Sequence, residues 1–492
     1  MNKSSQSLAS GPVLNSNALL LAILILAVVL RVIFIGTHSL WLDELFSLRF
    51  AGYDLPELIK EVATFDNHPP TYYILLHYWI SLFGDSEASL RTPSAIFSSL
   101  SVFITYKVGE LLFDKRVAAI AGLLLAASEF SIYYAQEARM YSFLAFAAVL
   151  SVYFLLKLLK QQTTWSLFNY VWSSTLLLYT HLYGIFIIVA ENIYILTAIY
   201  AFNNKTTGIQ IKHWVSAQIL IFLLSIPWFG ILINRVLNIG NEGFWVETPA
   251  INSVLKTFAA YSGTSRGLVI WISLMLLGML CVFIIKTTFG RKFINEQLAP
   301  NEGRHIFLLS LLLFTPIVLP YIVSQFITPV YIIRCTIAGH FAFYLLVANG
   351  IMHIRLRSFR IAAMTIILLL SLKALISQGY VHHNAPEFKK AVEYLDKNTA
   401  ENDLVILCSH PHLDWPFKYY AEKQNISPRI LKVGDEDILP EQFEVNKLWL
   451  VSLTDRTTNC QKLLHYISNQ YTQIDTRETF FRNLGLTDFE KK

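Results

Sequence analysis

Residues 17–46 read NALLLAILILAVVLRVIFIGTHSLWLDELF, and the change of character within this stretch decides the class of protein. Residues 17–35 are almost all apolar and come close to the roughly 20 residues that cross the hydrocarbon core of a bilayer. A signal peptide is the alternative, but the length of the run, the further apolar runs behind it and the lack of a clear small-residue cleavage site favour a retained helix. Two adjacent carboxylates, Asp43 and Glu44, follow closely. The stretch therefore predicts a membrane helix that ends beside a pair of acids.

The composition of the whole chain is that of a membrane protein. Hydrophobic residues make up 54% and charged residues 15% of the 492 residues, which is too apolar for an ordinary soluble domain. The formal net charge of +5 does not imply nucleic acid binding, because the basic residues of membrane proteins concentrate in cytoplasmic loops. None of the four cysteines has metal-ligand spacing. Cys408 and Cys460 could form a disulfide in an extracytoplasmic domain or remain two free buried thiols.

Ten further apolar runs follow the first and predict an all-α polytopic membrane protein with about eleven transmembrane helices. These runs are 92–113, 117–134, 141–156, 167–179, 182–202, 215–232, 268–285, 306–322, 337–351 and 361–376. The run 167–179 is short, which leaves the count open by one helix. With the N-terminus in the cytoplasm, every inside loop carries lysine or arginine, such as Lys115 and Arg116, as the positive-inside rule requires.

Composition also divides the chain into parts. Residues 1–16 are a polar lead expected to be disordered, and residues 17–380 form the transmembrane domain, whose first outside loop is 36–91. Residues 385–492 alternate between helix-like and strand-like segments, so they predict a small α/β domain that an odd number of spans places outside. Its predicted helices are 387–397 and 460–468, and its predicted strands are 404–408 and 448–453.

The first outside loop contains two acidic elements, Asp43 with Glu44 and Asp66 with His68. The plain interpretation is that the carboxylates solvate a helix end and that the histidine makes a hydrogen bond. Burial and like charge both raise the pKa of a carboxyl group, however, so an ionised pair near lipid needs a cation, a metal ion or a role as proton acceptor. These four side chains are therefore also the candidate ligands of a divalent cation, which is the one candidate cofactor.

Residues 71–82 follow these acids and are apolar and aromatic, but they are too short and too interrupted to cross a bilayer. Pro69 and Pro70 cannot continue a helix and turn the chain into this segment. We therefore expect 71–82 to form an amphipathic helix that lies in the membrane interface and covers a cavity.

Other polar side chains are predicted on the same side of the membrane, at the ends of several helices. Glu137, Arg139 and Tyr141 belong to a loop hardly long enough to leave the bilayer, His181 lies in another short link, and Arg334 begins a span. An interfacial ion pair is worth only about 0–1 kcal/mol, so stability alone explains the charged loop poorly. An arginine at membrane depth needs an anionic partner, and a lipid phosphate is the expected one. We expect the cavity under the first loop to be lined also by Glu137, Arg139, His181 and Arg334.

Four motifs occur in the order WLDE (41–44), DNHPP (66–70), YAQEARMY (134–141) and YTHLY (179–183). With them the chain resembles the GT-C glycosyltransferases, and more narrowly the bacterial branch of the dolichyl-phosphate-mannose protein mannosyltransferase superfamily, which includes the lipid A aminoarabinose transferases. The resemblance covers about residues 15–380 and is most specific between 41 and 141. It implies a GT-C fold and the inverting transfer of a sugar from a polyprenyl-phosphate carrier to an acceptor hydroxyl at the extracytoplasmic face.

The resemblance also implies roles for individual residues. Asp43 is implied as the general base, with Glu44 as its catalytic neighbour. The implied donor-binding residues are Asp66, His68, Glu137, Arg139, Tyr141, His181 and Arg334. In relatives the later arginine is commonly followed by tyrosine, whereas Arg334 is followed by Cys335. This departure retains the cation and leaves a role for a tyrosine hydroxyl in doubt.

The expected partners are the membrane, a polyprenyl-phosphate sugar, and a glycan, lipid or protein acceptor, with no nucleic acid; the expected location is the bacterial inner membrane. One alternative is a ligase that moves a glycan from a pyrophosphate-linked lipid, and another is a lipid or solute transporter. A transporter is expected to have Gly- or Pro-interrupted spans in matching halves and a site near the midplane, whereas the acids here gather on one face. A catalytically idle relative that binds lipid is a third alternative, which the retained acids oppose.

Overall fold

A computed structural model describes residues 16–66, 68–200, 210–242, 246–263, 267–288, 302–377, 386–400, 402–408, 414–424, 429–433, 445–453, 458–476 and 484–492. The protein is mostly helical, with one five-stranded sheet near the C-terminus. The predicted N-terminal lead, except its last residue, lies outside the described residues.

In the described residues, each of the eleven apolar runs falls largely on helices. These are α1 (Ser16–Val32), α5 (Glu87–Leu112), α6 (Lys115–Ala126), α7 (Glu129–Ala135), α8 (Tyr141–Lys160), α9 (Thr164–Thr180), α10 (Gly184–Tyr200), α11 (Ile211–Glu242), α13 (Leu268–Thr288), α14 (Glu302–Phe326), a 3-10 helix (Ile333–Gly339) continued by α15 (His340–His353), and α16 (Arg357–Ser377). Within the described residues, six are long and apolar enough to cross a membrane, or seven if α6 and α7 form one bent span. Three shorter apolar helices add to these. The protein is an integral membrane protein, and the count of eleven spans stays a prediction.

The bend of 57° between α6 and α7 is stabilised by Arg31 of α1. Its buried guanidinium donates to the backbone carbonyls of Ala126 at 3.1 Å and Leu125 at 3.3 Å, which are carbonyls that a helix leaves unsatisfied at its C-terminal end. In return, the Gln136 amide donates to the carbonyls of Arg31 and Ile33 at the end of α1, at 3.1 and 2.8 Å. Arg31 thus satisfies the C-terminal end of α6, and Gln136, which follows α7, satisfies that of α1, so the turn after α7 is fixed.

The first outside loop folds as three helices, α2 (Leu42–Ala51), α3 (Leu55–Phe65) and α4 (Thr71–Phe83). Asp54 caps α3 by accepting a hydrogen bond from the Glu57 amide at 3.1 Å, and α4 begins after Pro70. The predicted helix over 71–82 is confirmed, and its position in the membrane interface stays a prediction. A further short helix, α12 (Ser253–Ser262), lies between α11 and α13.

The C-terminal part is an α/β layer, as predicted. It contains α17 (Phe388–Asn398), β1 (Leu404–Cys408), α18 (Asp414–Lys423), β2 (Arg429–Val433), β3 (Lys447–Leu453), α19 (Thr458–Gln470), β4 (Tyr471–Thr476) and β5 (Leu484–Lys491). The strand order is β2-β1-β3-β5-β4, with β1 parallel to β2 and β3, and β5 antiparallel to β3 and β4. Cys408 is disulfide-bonded, while the side chain of Cys460 lies outside the described residues.

This C-terminal layer is docked on the loop that leads into α2. The Tyr420 hydroxyl of α18 accepts a hydrogen bond from the Leu40 amide at 2.6 Å and donates to Glu87 at 3.3 Å. Glu387 bonds the His38 ring at 2.7 Å and accepts from the Ser39 hydroxyl at 3.4 Å. The docking therefore fixes the residues immediately before the first acidic pair.

Candidate active site

Asp43 lies beside Arg334, which is far from it in sequence. The Arg334 guanidinium donates to the Asp43 carboxylate at 3.2 Å, and each side chain is about one-fifth exposed (22% and 23%). Asp43 belongs to the first turn of α2, where the free amide groups of the helix favour a negative charge. The carboxylate is thus both paired with a cation and open to a substrate.

Arg334 is placed by the 3-10 helix Ile333–Gly339, which packs closely against α14. A Cβ atom at Gly339 would lie 2.5 Å from the Leu312 carbonyl oxygen and 2.7 Å from Pro316, so only glycine permits this approach. The guanidinium also faces aromatic rings, at 5.3 Å from the ring centre of Tyr141 and 6.0 Å from that of Trp41. These contacts hold the cation at the end of the bundle that carries the first loop.

Glu44, although adjacent to Asp43, points into the protein. Its side chain is fully buried and accepts hydrogen bonds from Arg91 at 2.7 and 2.8 Å and from the Ala138 amide at 2.9 Å. This corrects the expectation that Glu44 takes part in catalysis, because a carboxylate so enclosed cannot touch a substrate. It links α2, α5 and the turn after α7. Sequence reasoning missed Arg91, although an arginine just before the predicted span 92–113 was a signal for such a partner.

We expect that Glu44→Ala and Arg91→Ala each lower the free energy of unfolding by about 3–5 kcal/mol, because each leaves the other charge buried without its partner. The double variant should lose much less than the sum of the two. Thermal denaturation of the purified protein measures this. Lys107→Ala removes a partly exposed ion pair, in which Lys107 lies 2.8 Å from Glu110, and serves as the control. Additive losses from Glu44→Ala and Arg91→Ala would contradict the assignment of the pair.

Asp66 and His68 form a second cluster with Tyr73. The Asp66 carboxylate bonds the His68 Nδ1 atom at 2.6 Å and also accepts a hydrogen bond from the Tyr73 hydroxyl. Burial raises the pKa of Asp66, but the His68 ring, the Arg139 guanidinium and the Tyr73 hydroxyl outweigh it and hold that pKa well below its usual range. Asp66 therefore stays ionised and orients the imidazole of His68.

Arg139 connects this cluster to α2. Its guanidinium donates to the Tyr73 hydroxyl at 3.1 Å, to the Asp43 backbone carbonyl at 3.3 Å and to the Ser47 hydroxyl at 3.3 Å. The side chain is buried, at 4% exposure. Arg139 thus holds the backbone of Asp43 in place from the buried side of α2.

Glu137 lies in the same turn and is buried. Burial raises its pKa to about 8, with the charge of Glu44 adding to the shift and that of Arg334 opposing it. At pH values between 4.5, the ordinary pKa, and 8, the folded protein therefore holds a proton on Glu137 that the unfolded chain releases. The carboxyl group is expected to be largely neutral at pH 7.

From this shift we predict that the stability of the wild-type protein falls relative to Glu137→Gln as the pH rises from about 5 to 8. Below pH 4.5 Glu137 is protonated in both the folded and the unfolded wild-type protein, so its contribution to stability is complete there. That contribution is lost as the pH rises through 8. Melting temperatures of both proteins over this range provide the measurement, with exposed Glu57→Gln as the control. A difference between the two proteins that stays constant with pH would refute it.

An apolar cavity of about 340 Å³ opens beside these clusters. Its polar end is formed by His68, Tyr141, His181, Arg334 and Cys335. The rest of the wall is mainly hydrophobic, including Leu182, Phe186, Phe229, Val323 and Ile332. The shape and lining suit a long apolar ligand with one polar, anionic end.

His181 is buried at the polar end of this cavity. Its Nδ1 atom accepts a hydrogen bond from the Tyr183 amide at 3.1 Å, so Nε2 carries the proton and faces the Cys335 sulfur at 3.6 Å. Burial and the nearby charges of His68, Arg139 and Arg334 lower the pKa of His181 well below its ordinary value. The ring is therefore neutral, and its centre lies 4.9 Å from that of His68.

The structure thus brings most of the predicted residues together, in a different arrangement from the one expected. Glu137 and Arg139 were predicted to line the cavity, but both are buried behind its wall. Of the predicted metal ligands, Asp43 bonds Arg334, Glu44 bonds Arg91, and Asp66 bonds His68. The described part of the chain contains no group of three or more potential ligands that could hold a metal ion, and the expected divalent cation stays a prediction.

Comparison with known proteins gives two kinds of match. Residues 67–229, about a third of the chain, match the sequence model of a family described as dolichyl-phosphate-mannose-protein mannosyltransferase. No curated protein sequence matches the chain.

Solved structures are similar over almost the whole chain. ArnT from Cupriavidus metallidurans in the apo state gives a TM-score of 0.59 at 11% identity, covering 96% of this chain and 98% of that one. The same protein bound to undecaprenyl phosphate gives 0.55 at 10% identity with the same coverage. AglB from Archaeoglobus fulgidus, in complex with an inhibitory peptide and a dolichol-phosphate, gives 0.52 at 11% identity, covering 89% and 69%. At these identities the similarity establishes the fold.

Proposed function

We propose that this chain, which has the GT-C glycosyltransferase fold, transfers a sugar from a polyprenyl-phosphate carrier to an acceptor hydroxyl with inversion of the anomeric centre. The observation that carries this proposal is the partly exposed carboxylate of Asp43, which lies 3.2 Å from Arg334, a residue at the polar end of the apolar cavity. A base and a phosphate-binding cation are thereby placed side by side.

The cavity supports a lipid-linked donor. Its hydrophobic wall, with Leu182 and Phe186, suits the polyprenyl chain, and Arg334 at its end suits the phosphate. The structurally similar ArnT and AglB were solved with undecaprenyl phosphate and a dolichol-phosphate, respectively. His68, oriented by Asp66, and neutral His181 add hydrogen-bonding groups at the same end.

The reaction is a single displacement. Asp43 takes the proton of the acceptor hydroxyl while the oxygen of that hydroxyl forms a bond to the anomeric carbon. The bond from that carbon to the phosphate oxygen breaks, and the phosphate leaves with the electron pair. Arg334 stabilises the negative charge that grows on the leaving phosphate. Arg139 acts at a distance, as a positioning residue that holds the Asp43 backbone and the Tyr73 hydroxyl.

Tyr141 supplies a further group for the phosphate. Among the described residues no protein group bonds its hydroxyl, and its ring lines the cavity 5.3 Å from the Arg334 guanidinium. Because Cys335 follows Arg334 where relatives commonly have tyrosine, the Tyr141 hydroxyl is the candidate replacement for that missing donor.

We therefore predict that Tyr141→Phe raises the KM for the donor roughly tenfold and leaves the fold unchanged, since it deletes one hydrogen bond to a charged group. Tyr179→Phe removes a hydroxyl bonded to the Leu224 carbonyl away from the cavity and is the matched control. Steady-state kinetics with a synthetic donor give the result. An unchanged KM would remove Tyr141 from the donor site.

The active face and the C-terminal layer lie outside the cytoplasm in this proposal, and the protein resides in a bacterial inner membrane. The basic inside loops support this orientation. A signal from a reporter that works only in the cytoplasm, fused after Lys492, would contradict this orientation.

The function is tested by two measurements on the purified protein. Mass spectrometry of co-purified lipids should detect a polyprenyl-phosphate sugar, and its headgroup would identify the donor. The protein should then transfer that sugar from a synthetic polyprenyl-phosphate carrier to an acceptor hydroxyl. Transfer of a glycan only from a pyrophosphate-linked lipid would support a ligase instead, and lipid binding without transfer would reject the enzyme.

A further inference from the structure

A second cavity, of about 320 Å³, lies between α2 of the first loop and α18 of the C-terminal layer. This volume is at the lower end of the range of ligand sites, roughly 300–1,000 Å³. Its wall on α2 is formed by Leu45, Leu48 and Arg49. The opposite wall consists of Trp415, Lys418, Tyr419 and Glu422. We call this cavity the interdomain cleft.

The interdomain cleft and the reaction centre lie on opposite faces of the same helix. Successive residues of a helix turn by about 100°, so Leu45, Leu48 and Arg49 point away from Asp43. Asp43 contacts Arg334 on the other face. The thickness of a helix, about 10 Å, therefore separates the cleft from the base. A group bound in the cleft cannot be the one that reacts, but a chain of a few sugar units can reach from one to the other.

The lining of the interdomain cleft combines aromatic faces with an excess of cations. Trp415 and Tyr419 lie one helical turn apart on α18, and the Arg49 guanidinium stands 4.8 Å from the Trp415 ring centre. Arg49 donates from Nε to the Tyr53 hydroxyl at 3.0 Å, and within the described residues its two terminal nitrogens have no protein acceptor. Among the described residues that line the cleft, Arg49 and Lys418 are cations and Glu422 is the one acid. Such a lining suits a sugar ring that carries a negative group.

The cleft is also held in a fixed shape. Tyr420, on the same helix as Trp415, bonds the Leu40 amide and Glu87, and Phe46 of α2 packs on Trp415 with ring centres 4.9 Å apart. Its two walls are therefore set before a ligand arrives, which lowers the entropic cost of binding.

We propose that the interdomain cleft binds a distal, negatively charged saccharide of the acceptor, a few sugar units from the hydroxyl that Asp43 activates. This inference rests on the proposed transferase function and adds the class of acceptor to it, an acidic glycan. It gives the C-terminal layer a role in acceptor recognition.

The test is a binding measurement with the full-length protein in nanodiscs of phosphatidylcholine, without donor. The probes are tetragalacturonate, an acidic oligosaccharide, and maltotetraose, a neutral one, and calorimetry is the readout. We expect saturable binding of the acidic probe and at least tenfold weaker binding of the neutral probe. Arg49→Gln and Trp415→Leu should each weaken the binding of the acidic probe about tenfold. Arg355→Gln and Trp165→Leu, at exposed positions of the predicted inside face, are the matched controls.

Three results would overturn the proposal. The first is equal binding of both probes, and the second is no binding of either. The third is loss of binding when phosphatidylglycerol is added to the nanodiscs. That third result would make the cleft a site for lipid headgroups. If Trp415→Leu lowers the melting temperature, the Arg49→Gln variant decides the outcome, because Arg49 is exposed. No sugar transfer takes place in this assay. Its failure is therefore distinguishable from failure of the proposed transferase, which the donor assay tests separately.

Discussion

Asp43→Asn is expected to lower kcat by roughly 100- to 10,000-fold while donor affinity changes little. Asparagine keeps the size and hydrogen-bonding capacity of aspartate, and it can still accept from Arg334. It cannot accept the proton of the acceptor hydroxyl, so the loss falls on the chemical step.

The measurement combines sugar transfer from a synthetic polyprenyl-phosphate donor with donor binding in nanodiscs. Asp85→Asn changes an exposed aspartate of the same loop and should keep nearly full activity. Turnover close to wild type in Asp43→Asn would reject Asp43 as the base. The next residue to examine would then be His68, whose ring is oriented by Asp66 at the polar end of the cavity.

Arg334→Ala is expected to weaken donor binding roughly 10- to 100-fold and to lower kcat as well. The guanidinium meets the phosphate before the reaction and in the transition state, so affinity and rate should fall together. Arg334→Lys should recover part of the affinity, because it restores the charge without the planar fork of donors.

Arg355→Ala, at an exposed arginine of the predicted inside face, is the control for a change of charge alone. Donor affinity retained in Arg334→Ala would contradict the phosphate role of Arg334. Arg139 would be a poor substitute, since it is buried and already bonds Tyr73 and the Asp43 backbone.

The sequence predicted the fold more completely than the site. The apolar runs and the four motifs predicted a helical membrane domain of the GT-C type, and the structural similarity to ArnT confirms that fold. In the C-terminal part, the strands at 404–408 and 448–453 were predicted because they are short apolar runs rich in residues that favour strands. The strand Tyr471–Thr476 was missed because four of its six residues are exposed, so no apolar pattern marks it.

The alternation of apolar runs and basic loops by itself predicted that the acids of the first loop lie with Arg139 and Arg334 at one end of the bundle. Only the tertiary structure decided which acid meets which cation. Asp43 and Glu44 are neighbours in sequence, yet a helix turns by about 100° between them. One therefore reaches Arg334, 291 positions away and partly exposed, and the other reaches Arg91 in the fully buried interior. Burial and pairing, which separate a proton acceptor from a structural ion pair, depend on contacts between distant helices, and a linear sequence does not specify those contacts residue by residue.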